Sequence, residues 1–257
     1  MGIISKEKFT ASLDSRHSVM FAHIFDMAEN CLRRSFSVYG DFLSENSIST
    51  LLCRKQYLPL EPVLFGGTDD SERQMVAFIA DYDEPDFPIG AVKIYSPHIK
   101  SLSHRDFLGS VLGLGIKREK CGDIIILDDI CYIIAHRDIA SFIASNLTKV
   151  GREGVRCEEC SLSDIILPPK SFEPVKGTVA SPRLDAVVSV FTGKGRSQAA
   201  EIVNAGFVFV NGILTQKCDM HLTDGDIISV RGYGKAVLET GGTSKKGRTF
   251  INLNKYA

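Results

Sequence analysis

Between Gly90 and Cys160 the apolar residues alternate between a two-residue and a 3.6-residue period, and their order leaves few folds open. A strand is predicted over Ala91–Tyr95, a helix over Ser103–Leu114, and strands over Ile124–Leu127 and Ile130–Ile134. A helix over Asp138–Val150 and a strand over Val155–Cys160 complete the run. Asp128-Asp129 separates the two middle strands as a tight hairpin does. The order βαββαβ is the split, ferredoxin-like arrangement.

The rest of the chain organises around that block. Phe21, Ile24, Phe25, Ala28, Cys31 and Leu32 lie on one helix face, and a second helix over Ile48–Tyr57 turns Leu51 and Leu52 inward before Pro59 stops it. Gly66–Ser71 reads as a loop and Met75–Ala80 as a strand. Pro168, Pro169, Pro174 and Pro182 bracket a semi-extended linker. Beyond it, Leu184, Val187, Val188 and Phe191 form a helix stripe, and Gly193-Lys194-Gly195 a turn. A second helix runs from about Arg196 and ends at Gly206. Asn211-Gly212 between two short apolar runs is a type I′ hairpin signal. Strands are predicted over Ile227–Val230, Lys235–Leu238 and Thr249–Leu253. The expected class is α+β: a mainly helical region over 1–70, an RRM-like middle domain over 71–168, a linker over 169–181 and a small α/β domain over 182–257. RNA-recognition modules share the middle arrangement with many unrelated domains, so it decides nothing about function.

Charge is informative by segment. The 257 residues carry a net charge of −1, but residues 182–257 hold ten Lys/Arg against six Asp/Glu. Glu61–Asp86 holds eight acids and the single base Arg73, whereas Lys93–Lys120 holds six bases and two acids. Two basic zones in an otherwise acidic chain fit a phosphate-facing surface, or charges covering solvated faces. Seven scattered cysteines argue against a disulfide framework and for a reducing, cytoplasmic setting. No apolar run approaches the ~20 residues that span a bilayer, and the first residues hold no apolar signal core.

Four blocks in register within the last segment carry a family resemblance: Arg183-Leu184-Asp185, Gly195-Arg196-Ser197-Gln198-Ala199, Gly206–Gly212 and Gly225–Gly232. Together they resemble the RNA-binding domain named after ribosomal protein S-four. Upstream, Lys55–Pro59, His104–Gly109, Leu114–Arg118 and Gly122-Asp123-Ile124 resemble the bacterial YlmH family. The resemblance implies a helical start, an RRM-like middle domain and a C-terminal S-four-type domain. It further implies binding to ribosomal RNA or tRNA on the large ribosomal subunit, in rescue of stalled translation, with genes near those of cell division. Two departures stand out. Gly195 replaces the usual serine, and Gln198 the frequent lysine.

The chemistry of RNA binding needs cations, helix-end donors and flat surface. The start of the helix at Arg196 offers free amides to a phosphate, flanked by Lys194 and Arg196, with Arg183 at the head of the preceding helix and Gln198 on the same segment. Ser197 reads equally as a cap or a phosphate donor, and Asp185 as an orienting group. Arg231, Tyr233 and Lys235 place two cations and an aromatic on a glycine-rich turn, where Tyr233 either stacks on a base or is an ordinary loop tyrosine. Lys245, Lys246 and Arg248 form a basic tail. In the middle domain Lys93, Lys100, Arg105, Lys117 and Arg118 make a second basic set, while Tyr95 and Tyr132 are read as structural because the full aromatic RNA-recognition signature is absent. Cys157 and Cys160 have metal spacing but no second pair, so they are read as ordinary strand cysteines, and no metal or cofactor is expected.

Rival classes remain. A pseudouridine synthase-like enzyme needs a catalytic Asp in a large domain of its own, and Asp185 lies in a small module. A Rossmann-type methyltransferase needs a glycine loop after a strand, and Gly113-Leu114-Gly115 follows a helix. A non-enzyme is therefore expected. A protein-binding adaptor linked to cell division, using the acidic stretch or the helical start, is compatible with RNA binding.

Overall fold

A computed structural model describes residues 4–167, 172–244 and 247–256. They divide into two compact units, over 1–168 and 169–257.

The first unit opens with α1 (Lys6–Thr10) and α2 (Ser15–Arg34). The Asp14 side chain caps α2 by accepting from the His17 amide, and Ser35 ends it with a left-handed φ of 52°. Phe21, Ile24, Phe25, Ala28 and Cys31 are buried against Phe9 of α1. Leu32 is not: at 59% exposure it lies off the stripe. Then come β1 (Val38–Leu43), α3 (Glu45–Arg54), β2 (Val63–Phe65) and β3 (Gln74–Phe78). Leu51 of α3 is buried, while Leu52 points outward at 44% exposure, contrary to expectation.

The N-terminal region carries strands beside its helices. It holds a three-stranded antiparallel sheet in the order β1-β3-β2. Residues 74–78, read with the middle domain, belong to this sheet, because Val38 pairs with Phe78 and Val63 with Ala77.

The βαββαβ run follows as β4 (Ile89–Tyr95), α4 (His104–Gly113), β5 (Cys121–Ile126), β6 (Ile130–His136), α5 (Arg137–Asn146) and, after a small ribbon of β7 (Lys149–Val150) and β8 (Glu153–Gly154), β9 (Arg156–Cys160). The sheet order is β5-β6-β4-β9, with every pair antiparallel. Strand alternation sends Val92, Ile94, Cys131 and Ile133 to one face, where Phe107 of α4 and Ile143 of α5 cover them. Tyr132 and Ile134 point to the other face. There Ile134 packs with Phe42, Met75 and Phe87, and the fully buried Tyr132 donates its hydroxyl to the Asp164 carbonyl at 3.3 Å. Around Tyr132 and Ile134, the sheet face that RNA-recognition modules leave open is covered here by the N-terminal sheet and by the segment after β9, while Lys93 and Tyr95 on that face stay half-buried.

Arg73 locks the two parts of this unit together. Its Nε donates to the Cys121 carbonyl at 2.9 Å and its Nη2 to the Phe42 carbonyl at 3.1 Å, while Asp123 accepts the Glu72 and Arg73 amides. Burial, with the nearby Arg118 charge, pushes the Arg73 guanidinium down to about 10.

The second unit holds β10 (Phe172–Val179), α6 (Leu184–Thr192), α7 (Arg196–Asn204), β11 (Val208–Val210), β12 (Ile213–Leu214), β13 (Ile227–Val230), β14 (Gly234–Thr243) and β15 (Thr249–Tyr256). The strands form one antiparallel sheet in the order β10-β15-β14-β13-β11-β12. Asn211 and Gly212, with φ of 50° and 76°, make the expected hairpin turn, pairing Val210 with Ile213. Leu184, Val187 and Val188 of α6 and Ala199 and Val203 of α7 pack on Val208, Ile228, Leu238 and Leu253.

The stretch read as a linker over 169–181 is an edge strand from 172 to 179, paired along its length with β15 from Phe172↔Tyr256 to Val179↔Thr249. Pro174 is tolerated there because an edge strand can do without one donor. Gly177 lets this strand approach α6: a Cβ at that position would lie 2.5 Å from the Val190 Cγ1. Pro168 and Pro169 lie outside the described residues.

Candidate nucleic-acid interface

Helices α6 and α7 are joined by only Gly193-Lys194-Gly195, so their heads and tails stay close. Arg183 is the N-cap residue of α6, and Arg196 is the first residue of α7. Both reach the same carboxylate. Arg183 Nε donates to Asp185 Oδ1 at 3.3 Å, and Arg196 Nε to Asp185 Oδ2 at 3.0 Å. The Asp185 side chain is 8% exposed, whereas those of Arg183 and Arg196 are 40% and 59% exposed. The acid is the inner post of the cluster and the two guanidinium groups are its outer surface. Burial works to raise the Asp185 carboxyl, but the Arg196 bond and charge, the Arg183 charge and the Ala186 amide outweigh it and hold it below its usual range. One negative and two positive charges leave the cluster net positive.

The two helix heads differ. The loop over Cys218–Leu222 occupies that of α6, where the Leu184 amide donates to the Met220 carbonyl and the Asp185 amide to the Cys218 carbonyl. The head of α7 is open. Its N-cap is Gly195, which has no side chain to turn back on the helix. Among the described residues, no acceptor meets the amides of Arg196, Ser197 and Gln198. Ser197 is therefore not a cap, since it lies two residues inside the cap position. Lys194 sits beside these amides, its side chain exposed and its carbonyl held by the Ser189 hydroxyl at 2.7 Å.

The turn after β13 places Arg231 over the Phe207 ring, 5.8 Å from its centroid. Lys235 lies over the Tyr256 ring at 5.5 Å. Tyr233 is half-buried against the core, which disfavours its use as an open stacking platform. Sequence reasoning missed Phe207. It is 41% exposed and directly follows the helix-ending Gly206, but in sequence it reads as the first residue of a strand. Lys245 and Lys246 lie outside the described residues. Arg248 does not form a free tail: its Nη2 donates to the Thr178 carbonyl at 2.6 Å.

The second basic set does not come together. Lys93 faces away from the helices and lies over the Tyr95 ring at 5.1 Å, beside the Tyr95 hydroxyl that donates to Glu158 at 2.6 Å. Arg105 is exposed on α4, in the opposite layer, and Lys117 is exposed in the loop before β5. Lys100 pairs with Asp128 at 3.4 Å. Arg118 is turned inward, donating to the Cys121 and Gly122 carbonyls at 2.8 and 3.1 Å, and burial lowers its pKa. Strand alternation separates this set, because neighbouring positions on and around the sheet serve different faces. The same geometry parts Cys157 from Cys160. Three residues apart on β9, they emerge on opposite faces, and Cys157 packs in the helix-side core.

Comparison with known proteins agrees with the family reading. Residues 83–164 match the family model described as “Putative RNA-binding domain in YlmH”. The ribosome-associated protein quality control protein P2 of Bacillus subtilis (strain 168) is 34% identical over 195 residues, covering 74% of this chain and 76% of that protein. The solved cell division protein YlmH from Streptococcus pneumoniae is 22% identical, with a TM-score of 0.49, covering 60% of this chain and 96% of that one. The chain belongs to the YlmH family.

Proposed function

We propose that this protein binds structured RNA of the ribosome through its second unit, without catalysing a reaction, and acts in the cytoplasm in rescue of stalled ribosomes. The observation that carries the proposal is the meeting of Arg183 and Arg196 on the buried Asp185, beside the unpaired amides of the α7 head. A buried carboxylate fixes two exposed guanidinium groups in place, and open amides next to them suit a phosphate. Lys194, Ser197, Gln198, Arg231 and Lys235 extend that surface.

The name of the Bacillus subtilis relative supports the ribosomal setting, and the description of the family model supports RNA binding. Ribosomal RNA and tRNA on the large subunit are the proposed targets. The middle domain, whose family model over 83–164 is described as “Putative RNA-binding domain in YlmH”, reinforces that contact through its exposed Arg105 and Lys117, although Arg118 turns inward. Among the described residues no cluster of His, Cys, Asp or Glu could hold a metal, and no helix is long and apolar enough to cross a membrane.

Charge reversal tests the proposal. The Arg183→Glu, Arg196→Glu double variant takes both partners from the buried Asp185 and is expected to be less stable, so its fold is checked by circular dichroism at the assay temperature, with Arg183→Gln, Arg196→Gln as the milder companion. It is expected to lose cosedimentation with large ribosomal subunits. A folded double variant that still cosediments like the parent would remove the site.

A further inference from the structure

Beside the arginine cluster, the outer face of α7 and the residue after its end enclose a groove of about 290 Å³, walled by Lys194, Gln198, Glu201, Ile202 and Phe207. That volume is at the small end of ligand pockets, the size for one planar group rather than a whole small molecule. Phe207 is held rigidly: its amide donates to the Ile202 carbonyl at 3.3 Å, and its carbonyl accepts from the Arg231 amide at 2.9 Å. The residue is 41% exposed, and its ring carries the Arg231 guanidinium 5.8 Å from its centroid.

We propose that this groove takes a single unpaired nucleobase, stacked on Phe207, with its neighbouring phosphates held by Lys194 and Arg231. The inference rests on the RNA-binding reading above and names what part of the RNA enters the groove. Glu201 argues for a base rather than a phosphate. A carboxylate in the groove wall repels an anion, and among the described residues no cation pairs with it. Its oxygens are acceptors only, so they suit a base edge rich in N–H groups. Guanine, with adjacent imino and amino hydrogens, fits that edge better than uracil. An exposed aromatic beside cations is the usual platform for unstacked bases.

The test uses the full chain and two RNA hairpins with the same loop and the same base pairs, one with an uninterrupted stem (the paired hairpin) and one with a single unpaired guanosine inserted in the stem, read by fluorescence anisotropy. The parent is expected to prefer the hairpin with the unpaired base by on the order of ten-fold. Phe207→Ala should abolish the preference, weakening the hairpin with the unpaired base far more than the paired one. Phe207→Tyr should keep it, and Glu201→Gln should narrow the preference for unpaired guanosine over unpaired uridine. Equal affinity of the parent for both hairpins, or an undiminished preference in Phe207→Ala, would overturn the inference. The Arg183→Glu, Arg196→Glu variant distinguishes the two readings. If it loses both hairpins while the parent does not discriminate between them, RNA binding stands and the base site falls. If the parent binds neither hairpin, both fall.

Discussion

Asp185 is the residue on which the interface turns, because it is buried yet serves two exposed partners. Replacing it by Asn removes the charge that holds Arg183 and Arg196 and leaves their Nε groups poorly matched. Chemical denaturation at neutral pH is expected to show a loss of about 1–3 kcal/mol. The pH dependence has a definite sign. A carboxyl held below its ordinary 3.8 in the folded protein stabilises the fold above that value, and the contribution fades as pH falls through the lowered value. The stability gap between parent and Asp185→Asn should therefore be full at neutral pH and close in acid. A gap that persists unchanged in acid would show that the loss is steric.

At the scale of elements, β10 is the clearest departure from expectation. Prolines at 168, 169, 174 and 182 read as a linker because proline interrupts a sheet, and only the pairing with β15 shows that Pro174 sits on an edge. Its glycine then has a structural reason. Gly177→Ala would press a methyl group onto the stiff, branched Val190, and a destabilisation of about 1–3 kcal/mol is expected in thermal or denaturant melts. A neutral substitution would mean that β10 is not tightly docked. The same strand sets the limits of the unit. A fragment over 169–257 should melt cooperatively, while one over 182–257, lacking the partner of β15 and the buried Val179, should be markedly less stable. Equal melting of the two fragments would contradict this.

Other elements were legible for identifiable reasons. The α6 stripe, the Asn211-Gly212 turn and the βαββαβ order each rest on local periodicity or local φ requirements. The β1 strand was not legible, because its pairing with β3 carries a bulge between Tyr39 and Phe42 that breaks alternation. Of the candidate cations, those at the heads of α6 and α7 came together. Those scattered around β4–β6 did not, since which face a residue serves depends on strand pairings that no local pattern records. Phe207 escaped notice for a similar reason: its exposure depends on how tightly the chain turns after α7.

For the whole molecule, charge distribution describes it better than net charge. The near-neutral total hides a second unit in which Arg183, Lys194 and Arg196 gather at one pair of helix heads, while the first unit spends Arg73 and Arg118 on its own carbonyls. Binding that neutralises three to five phosphates predicts a slope of log affinity against log salt of about −2 to −3.5, using the single-strand coefficient. The most direct test is that slope for the parent and for the Arg183→Gln, Arg196→Gln variant, measured on the same structured ribosomal RNA. Removing two phosphate contacts should make the slope shallower by about 1.4. A variant whose slope and affinity match the parent's would contradict the assignment of these two arginines to the RNA surface.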